Sequence, residues 1–214
     1  MAACVLIGGG GHAKVVIECL RAAGTDEPVA IVDPKRELWG TSVLGVPVIG
    51  DESKLVDFAR LDAVFAIGVG AIGTGRQRQL LFERALAAGL RPVTVCHPSA
   101  IVAPSVWMGR GCQIFPRAVV NADARLGDNV IVNTAAIVEH DCRVGDHAHI
   151  ATGACLASTV EVGIAALVGA GAAVKQCLRI GDDAVVGVGA VVIADVPAGS
   201  IVAGVPAQPL SSKS

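Results

Sequence analysis

Every sixth residue from Val102 to Val192 is aliphatic or methionine: Val102, Met108, Ile114, Val120, Leu126, Val132, Val138, Val144, Ile150, Leu156, Val162, Val168, Val174, Ile180, Val186, Val192. A helix needs apolar residues near a period of 3.6 and a half-buried strand needs alternation. A period of six fits neither. It fits stacked coils in which each hexad is one short strand and one turn, so the repeat decides the fold before any propensity does. A second register, four residues after the first, is mostly small and includes Cys112, Ala118, Ala124, Ala136, Cys142 and Ala148. Glycine often follows the aliphatic residue, as at Gly109, Gly127, Gly145, Gly163 and Gly181. The large side chain points inward and the small one fits near a corner.

Hydrophobic residues make up 53% of the chain, which raises the question of a membrane span. Gly, Asp, Lys or Arg interrupts every long apolar stretch, and no clean run of ~18 apolar residues exists. Membrane insertion is therefore not expected. With 17 basic and 19 acidic residues and no basic stripe interleaved with aromatics, neither is nucleic-acid binding. The N-terminus opens on a buried-strand pattern with no basic region before it, so no signal peptide is expected. Seven cysteines, an odd number without a CxxC, read as reduced thiols of a cytoplasmic protein.

Residues 1–96 have another rhythm. Ala3–Ile7 is a continuous apolar run, hence a buried parallel strand. Gly8-Gly9-Gly10-Gly11-His12 follows, then a helix over Ala13–Ala23 with Gly24 as its stop. Val29–Val32 is a second strand ending at Asp33, and Ala63–Ile67 a third, followed by Gly68. Thr74-Gly75-Arg76-Gln77 reads as a capping box opening a helix to about Ala88, and Pro92–Cys96 as a last strand. The alternation predicts a small parallel βαβ sheet. A glycine loop before a helix lets a ligand approach the backbone, and the free N–H groups of the helix favour an anion. Gly8-x-Gly10-x-x-Ala13, with Asp33 further on, also fits a dinucleotide fingerprint. About 95 residues provide one mononucleotide half only, which favours a sugar nucleotide.

The hexad series over about residues 97–207 resembles the hexapeptide repeat of left-handed parallel β-helix acyltransferases. That resemblance implies three hexads per coil, about five coils, and a left hand that the general crossover rule would not supply. Glycine loop, strand-end Asp and hexads in this order resemble the nucleotide-amino-sugar N-acetyltransferases over nearly the whole chain. The implied architecture is an α/β half-Rossmann nucleotide-sugar-binding domain over 1–96, followed by an all-β left-handed parallel β-helix domain with a C-terminal tail over 97–214. The implied reaction moves acetyl from acetyl-CoA to the 4-amino group of a nucleotide-linked 4-amino-4,6-dideoxy sugar. GDP-perosamine is favoured and a UDP-linked sugar is open.

The same resemblance implies that Gly10, Gly11 and His12 contact the nucleotide-sugar, with Asp33, Pro34 and Gly68 lining the nucleoside pocket. It makes His140 the general base, with Asp141, or alternatively Glu139, as its partner. An amine attacking a thioester must lose a proton, and an imidazole with a pKa near ~6.5 suits that transfer. His149 is expected at the cofactor and His147 in solvent. The backbone N–H of Ser158 matches the oxyanion donor, and Ala170 and Val188 match other coenzyme contacts. Asn133 is a candidate for the sugar, and Lys14, in the first helical turn, for phosphate. No cysteine is placed beside His140 as an acyl carrier, so transfer is expected to be direct. The family implies a homotrimer with sites between subunits.

Three other readings stand beside this one. A sugar or sialic acid O-acetyltransferase needs a similar base. A zinc hydratase on the same solenoid needs three histidines from neighbouring coils. His97, His140, His147 and His149 lack that spacing, so no metal is expected. A non-catalytic binding module would use the front domain alone.

Overall fold

A computed structural model describes residues 1–71 and 73–210. Its front part is a six-stranded sheet with strand order β3-β4-β2-β1-β5-β6. The strands are β1 (Ala2–Ile7), β2 (Asp26–Val32), β3 (Ser42–Val43), β4 (Val46–Gly50), β5 (Val64–Ile67) and β6 (Arg91–Pro92). All neighbours are parallel except the β3–β4 hairpin, which the βαβ reading did not contain. Helices α1 (Gly11–Ala23), α2 (Leu55–Ala59) and α3 (Arg76–Ala87) accompany it. The apolar face of α1, with Val16, Ile17 and Leu20, is fully buried. Gly24, at φ 64°, closes that helix by donating its N–H to the Leu20 carbonyl.

Two local expectations are corrected. The capping box at Thr74 does not form: α3 begins at Arg76, and its N-cap is Gly75 without a side-chain bond. The Gly75 N–H donates instead to the Ala165 carbonyl at 2.7 Å, so tertiary docking replaces the local cap. The single strand expected over 92–96 is two. β6 completes the front sheet, and β7 (Val95–Cys96) already pairs with Gln113–Ile114 in the first coil.

The rest is a left-handed parallel β-helix. Strands of mostly two residues pair in parallel with the strand 18 residues on, as in Val120 with Val138 and Leu126 with Val144. Three hexads therefore make one turn of a three-sided prism. The first face runs from Val95–Cys96 through Gln113–Ile114, Ile131–Val132 and His149–Ile150 to the C-terminal strands. The second contains Val119–Val120, Ile137–Val138 and Cys155–Leu156. The third contains Trp107–Met108, Arg125–Leu126, Arg143–Val144 and Glu161–Val162.

The aliphatic and small registers fill one continuous core. One residue per hexad turns the corner in the left-handed region, among them Asn129 at φ 57°, Asp141 at 61° and His147 at 62°. Glycine and short polar residues tolerate that region better than branched ones do, and Gly, Asp and Asn recur at these corners. The front sheet packs on the first face through a second core that joins Leu6, Ile17 and Leu20 to Phe115 and Ile131.

Candidate active site

Gly8, Gly10 and the start of α1 form one wall of a cleft of about 700 Å³. Gly10, Gly11, His12, Asp33, Pro34 and Gly68 all line it. Lys35, Glu52, Gln77 and Arg84 line it as well and were not anticipated. Gly68 is needed for packing: a Cβ there would meet the Gly8 carbonyl oxygen at 2.2 Å. Among the described residues nothing lies within 4 Å of a Cβ added at Gly10 or Gly11, so this backbone is open to the cleft. Among the described residues no side chain caps α1, and no acid sits in its first turn, which leaves its N–H groups for an anion.

Asp33 braces the loop. Its Oδ2 accepts the Gly9 N–H at 2.7 Å and its Oδ1 the Lys35 N–H at 2.9 Å. Each oxygen keeps a lone pair for a ligand hydroxyl. Lys14 is exposed and outside the lining.

His140 lies elsewhere. It follows Ile137–Val138 at the edge between the second and third faces, opposite the first face that carries the front domain. Its Nδ1 is 2.7 Å from Asp141 Oδ2, and both side chains are 56% exposed. A ring that donates from Nδ1 keeps the Nε2 lone pair for another proton. Ser158 stands one coil above. The next residue, Thr159, donates its N–H to the His140 carbonyl, and among the described residues the Ser158 N–H has no acceptor. Cys142, two residues from His140, is fully buried, and burial pushes its thiol up to about 11.

Asn133 and His149 belong to the first face and its border with the second. The Asn133 side-chain amide meets His149 Nε2 at 3.1 Å. His149 is 6% exposed, and burial, then the charge of Arg78, lowers its pKa to about 3. Ala170 and Val188 sit on the edge between the first and second faces, where the Gly189 N–H donates to the Ala170 carbonyl. Val188 is 79% exposed.

One expectation is overturned: His147 is 7% exposed, not in solvent. It packs edge-on against Phe82 at 5.7 Å and meets the Asn129 amide at 3.1 Å. Asn129 Oδ1 accepts at 2.6 Å from Arg78, itself wholly buried. The period of the repeat marks position 147 as a corner, and corners are exposed until another domain covers them.

The expected site residues therefore fall into three groups on one chain. These are the front cleft, the edge with His140, Asp141 and Ser158, and the edge with Ala170 and Val188 beside Asn133 and His149. The prism lies between the first two groups.

Comparisons with known proteins bear on both parts. A family described as the PglD N-terminal domain matches residues 4–85. The UDP-N-acetylbacillosamine N-acetyltransferase of Bacillus subtilis (strain 168) is 34% identical over 117 residues, 51% of this chain and 49% of that protein. The match thus spans about half the length of that curated relative. Among solved structures, PerB from Caulobacter crescentus, in complex with CoA and GDP-perosamine, is 43% identical with a TM-score of 0.89. That likeness covers 99% of this chain and 98% of PerB. The acetyltransferase domain of PglB from Neisseria gonorrhoeae FA1090, in complex with acetyl coenzyme A, is 38% identical with a TM-score of 0.91. It covers 98% of this chain and 99% of that one.

Proposed function

The chain belongs to the hexapeptide-repeat nucleotide-amino-sugar N-acetyltransferases, and from that premise we propose that it transfers acetyl from acetyl-CoA to the 4-amino group of a nucleotide-linked 4-amino-4,6-dideoxy sugar. The observation that carries the reading is the coexistence of two features. One is a glycine-walled cleft at an uncapped helix N-terminus, suited to a nucleoside diphosphate. The other is an exposed His–Asp pair on a prism edge. The identity to PerB, spread over nearly the whole chain, favours GDP-perosamine over a UDP-linked sugar. Acetyl-CoA is the co-substrate.

In this mechanism the sugar amine attacks the thioester carbonyl and a C–N bond forms. The nitrogen gives its proton to Nε2 of His140, while Asp141 holds Nδ1–H and stabilises the imidazolium. The tetrahedral oxyanion takes the free N–H of Ser158. The C–S bond then breaks, and the CoA thiolate leaves with the proton returned by His140. The buried Cys142 supports direct transfer without an acyl-enzyme.

The working unit is a homotrimer. The second face carries an outward apolar ladder, with Ile101 65% exposed and Val119 and Ile137 beside it. The third face carries Trp107, Arg125, Arg143, Glu161 and Arg179 in the same outward positions, charged in all but the first. An apolar ladder belongs in an interface and a mostly charged one in solvent. When three prisms turn their second faces to a threefold axis, the His140 edge of each meets the Ala170–Val188 edge of the next. Asn133 and His149 then lie beside a neighbour's His140, and CoA occupies the groove between prisms. Seven free cysteines fit a reducing, cytoplasmic compartment. No described helix is long and apolar enough to cross a membrane.

The test is turnover. Purified protein with acetyl-CoA is offered GDP-perosamine, a UDP-linked 4-amino sugar and their 4-hydroxy counterparts, with released thiol and product mass as readouts. Acetylation of an amine supports the reading. Acetylation of hydroxy sugars alone replaces it with an O-acetyltransferase.

A further inference from the structure

Gln113 is 1% exposed on the first face, at an outward strand position directly under α1. Its side-chain amide bridges the two parts of the chain. Nε2 donates to the Ile67 carbonyl at 2.7 Å, and Oε1 lies 2.8 Å from His12 Nε2. A carbonyl oxygen only accepts, so the end facing Ile67 must be the NH2. The end facing His12 is then the amide oxygen, which accepts only. His12 must place its proton on Nε2, and in the neutral ring Nδ1 is bare.

Nδ1 looks the other way. A Cβ on Gly70 would stand 3.4 Å from it, so the absence of a side chain there keeps that nitrogen uncovered beside the cleft. Among the described residues Nδ1 has no hydrogen-bond partner. Phe115 packs edge-on against the ring at 5.3 Å.

The charged surroundings all oppose a second proton or are already paired. From α3, the buried Arg78 guanidinium is held by neutral acceptors, the Val69 carbonyl and Asn129, with no carboxylate partner among the described residues. From the first face comes His149, itself kept neutral. In the cleft, Asp33 is engaged by the loop backbone, Glu52 pairs with Arg84 at 3.1 Å, and Lys35 adds positive charge. Burial, then Arg78, pushes the His12 pKa down to about 4.

We propose that Gln113 is a positioning residue: anchored on the Ile67 carbonyl, it fixes His12 as the Nε2–H tautomer and so presents Nδ1 as a constant acceptor for a hydroxyl or amine N–H of the bound nucleotide sugar. The proposal rests on the reading of the cleft as the sugar-nucleotide site.

Histidine 15N NMR on the wild-type protein, with His12 assigned by its loss in His12→Asn, reads the tautomer without any ligand. The expected result is a neutral Nε2–H ring at every pH from 5.5 to 8.5. A protonated Nδ1 at neutral pH overturns the proposal. Gln113→Glu supplies the functional readout. A carboxylate beside Nε2 raises the His12 pKa, so at low pH Nδ1 carries a proton and cannot accept. With GDP-perosamine as probe, the variant-to-wild-type ratio of KM should exceed tenfold at pH 6 and fall towards one at pH 8.5, while KM for acetyl-CoA stays unchanged. A ratio independent of pH means a packing role and overturns the proposal. If wild type does not turn over the probe, the reading of function fails, and the NMR spectrum still decides the tautomer.

Discussion

Asp141 holds the imidazole of its own neighbour: its Oδ2 lies 2.7 Å from Nδ1 of His140, and its backbone at φ 61° makes that reach possible. A carboxylate in the left-handed corner position folds back along the edge and reaches the ring. Asn also tolerates this backbone region, so Asp141→Asn keeps the corner and removes only the charge. The variant should lose on the order of tenfold in kcat with KM little changed. Steady-state kinetics with both substrates checks it, and an unchanged kcat contradicts the role of Asp141.

Glycines in the same cleft should respond in opposite ways. Gly68→Ala drives a Cβ into the Gly8 carbonyl, a backbone atom that cannot swing away. Its thermal midpoint should fall by several degrees, consistent with a cost of about 1–3 kcal/mol. Gly11→Ala meets nothing and should melt like wild type, yet its Cβ stands where the nucleotide approaches. KM for the sugar nucleotide should therefore rise while that for acetyl-CoA does not. Equal melting points for the two variants would contradict the close approach of Gly8 and Gly68.

The buried histidines predict acid sensitivity. An unfolded histidine titrates near ~6.5, whereas burial and Arg78 hold His12 near about 4 and His149 near about 3. Between these values the unfolded chain binds protons that the folded chain refuses. Stability is therefore full above ~6.5 and falls as pH drops through this window, by up to about 4 kcal/mol at pH 5. Urea unfolding at fixed protein concentration, at pH 7.5 and 5, measures it. His149→Gln should show a shallower decline, and a decline equal to that of wild type contradicts the assignment.

The apolar ladder on the second face predicts a separation of folding from assembly. Ile137→Arg places a charge on that face without touching the prism core. The variant should stay folded by circular dichroism and sediment as a monomer, with activity lost. A folded, active monomer would remove the composite site.

How much of this was legible depends on which residues repeat. The aliphatic register from Val102 to Val192 dictates stacked coils, because each residue of the series recurs in the same place and needs no partner outside the prism; the three hexads per coil are implied by the family resemblance and seen in the 18-residue pairing. The neighbours in the cleft were legible too, since Gly8 to His12 form the short connection from β1 to α1 and Asp33 directly follows the strand that pairs beside β1. What escaped is set by docking between the two parts. Gln113 differs from its ladder neighbour Ile131 only in being polar, a small signal that becomes informative once His12 lies against it. Arg78 sits in a helix rich in charge and is buried only because Asn129 and Val69 surround it. His147 reads as a corner and is covered by Phe82. The Thr74 cap gave way to Gly75 docking on Ala165.

In the trimer we propose, the His140 of one subunit serves the front cleft of another, because within one chain the prism separates the two. Co-assembly of two inactive variants tests it most directly: His140→Ala, with an intact cleft, and Gly11→Trp, with the cleft filled and His140 intact. In randomly mixed trimers about a quarter of the interfaces join an intact edge to an intact cleft. The account predicts that mixing the unfolded variants and refolding them together restores turnover towards about that fraction of wild type. Mixed trimers that form and remain as inactive as either parent would contradict it.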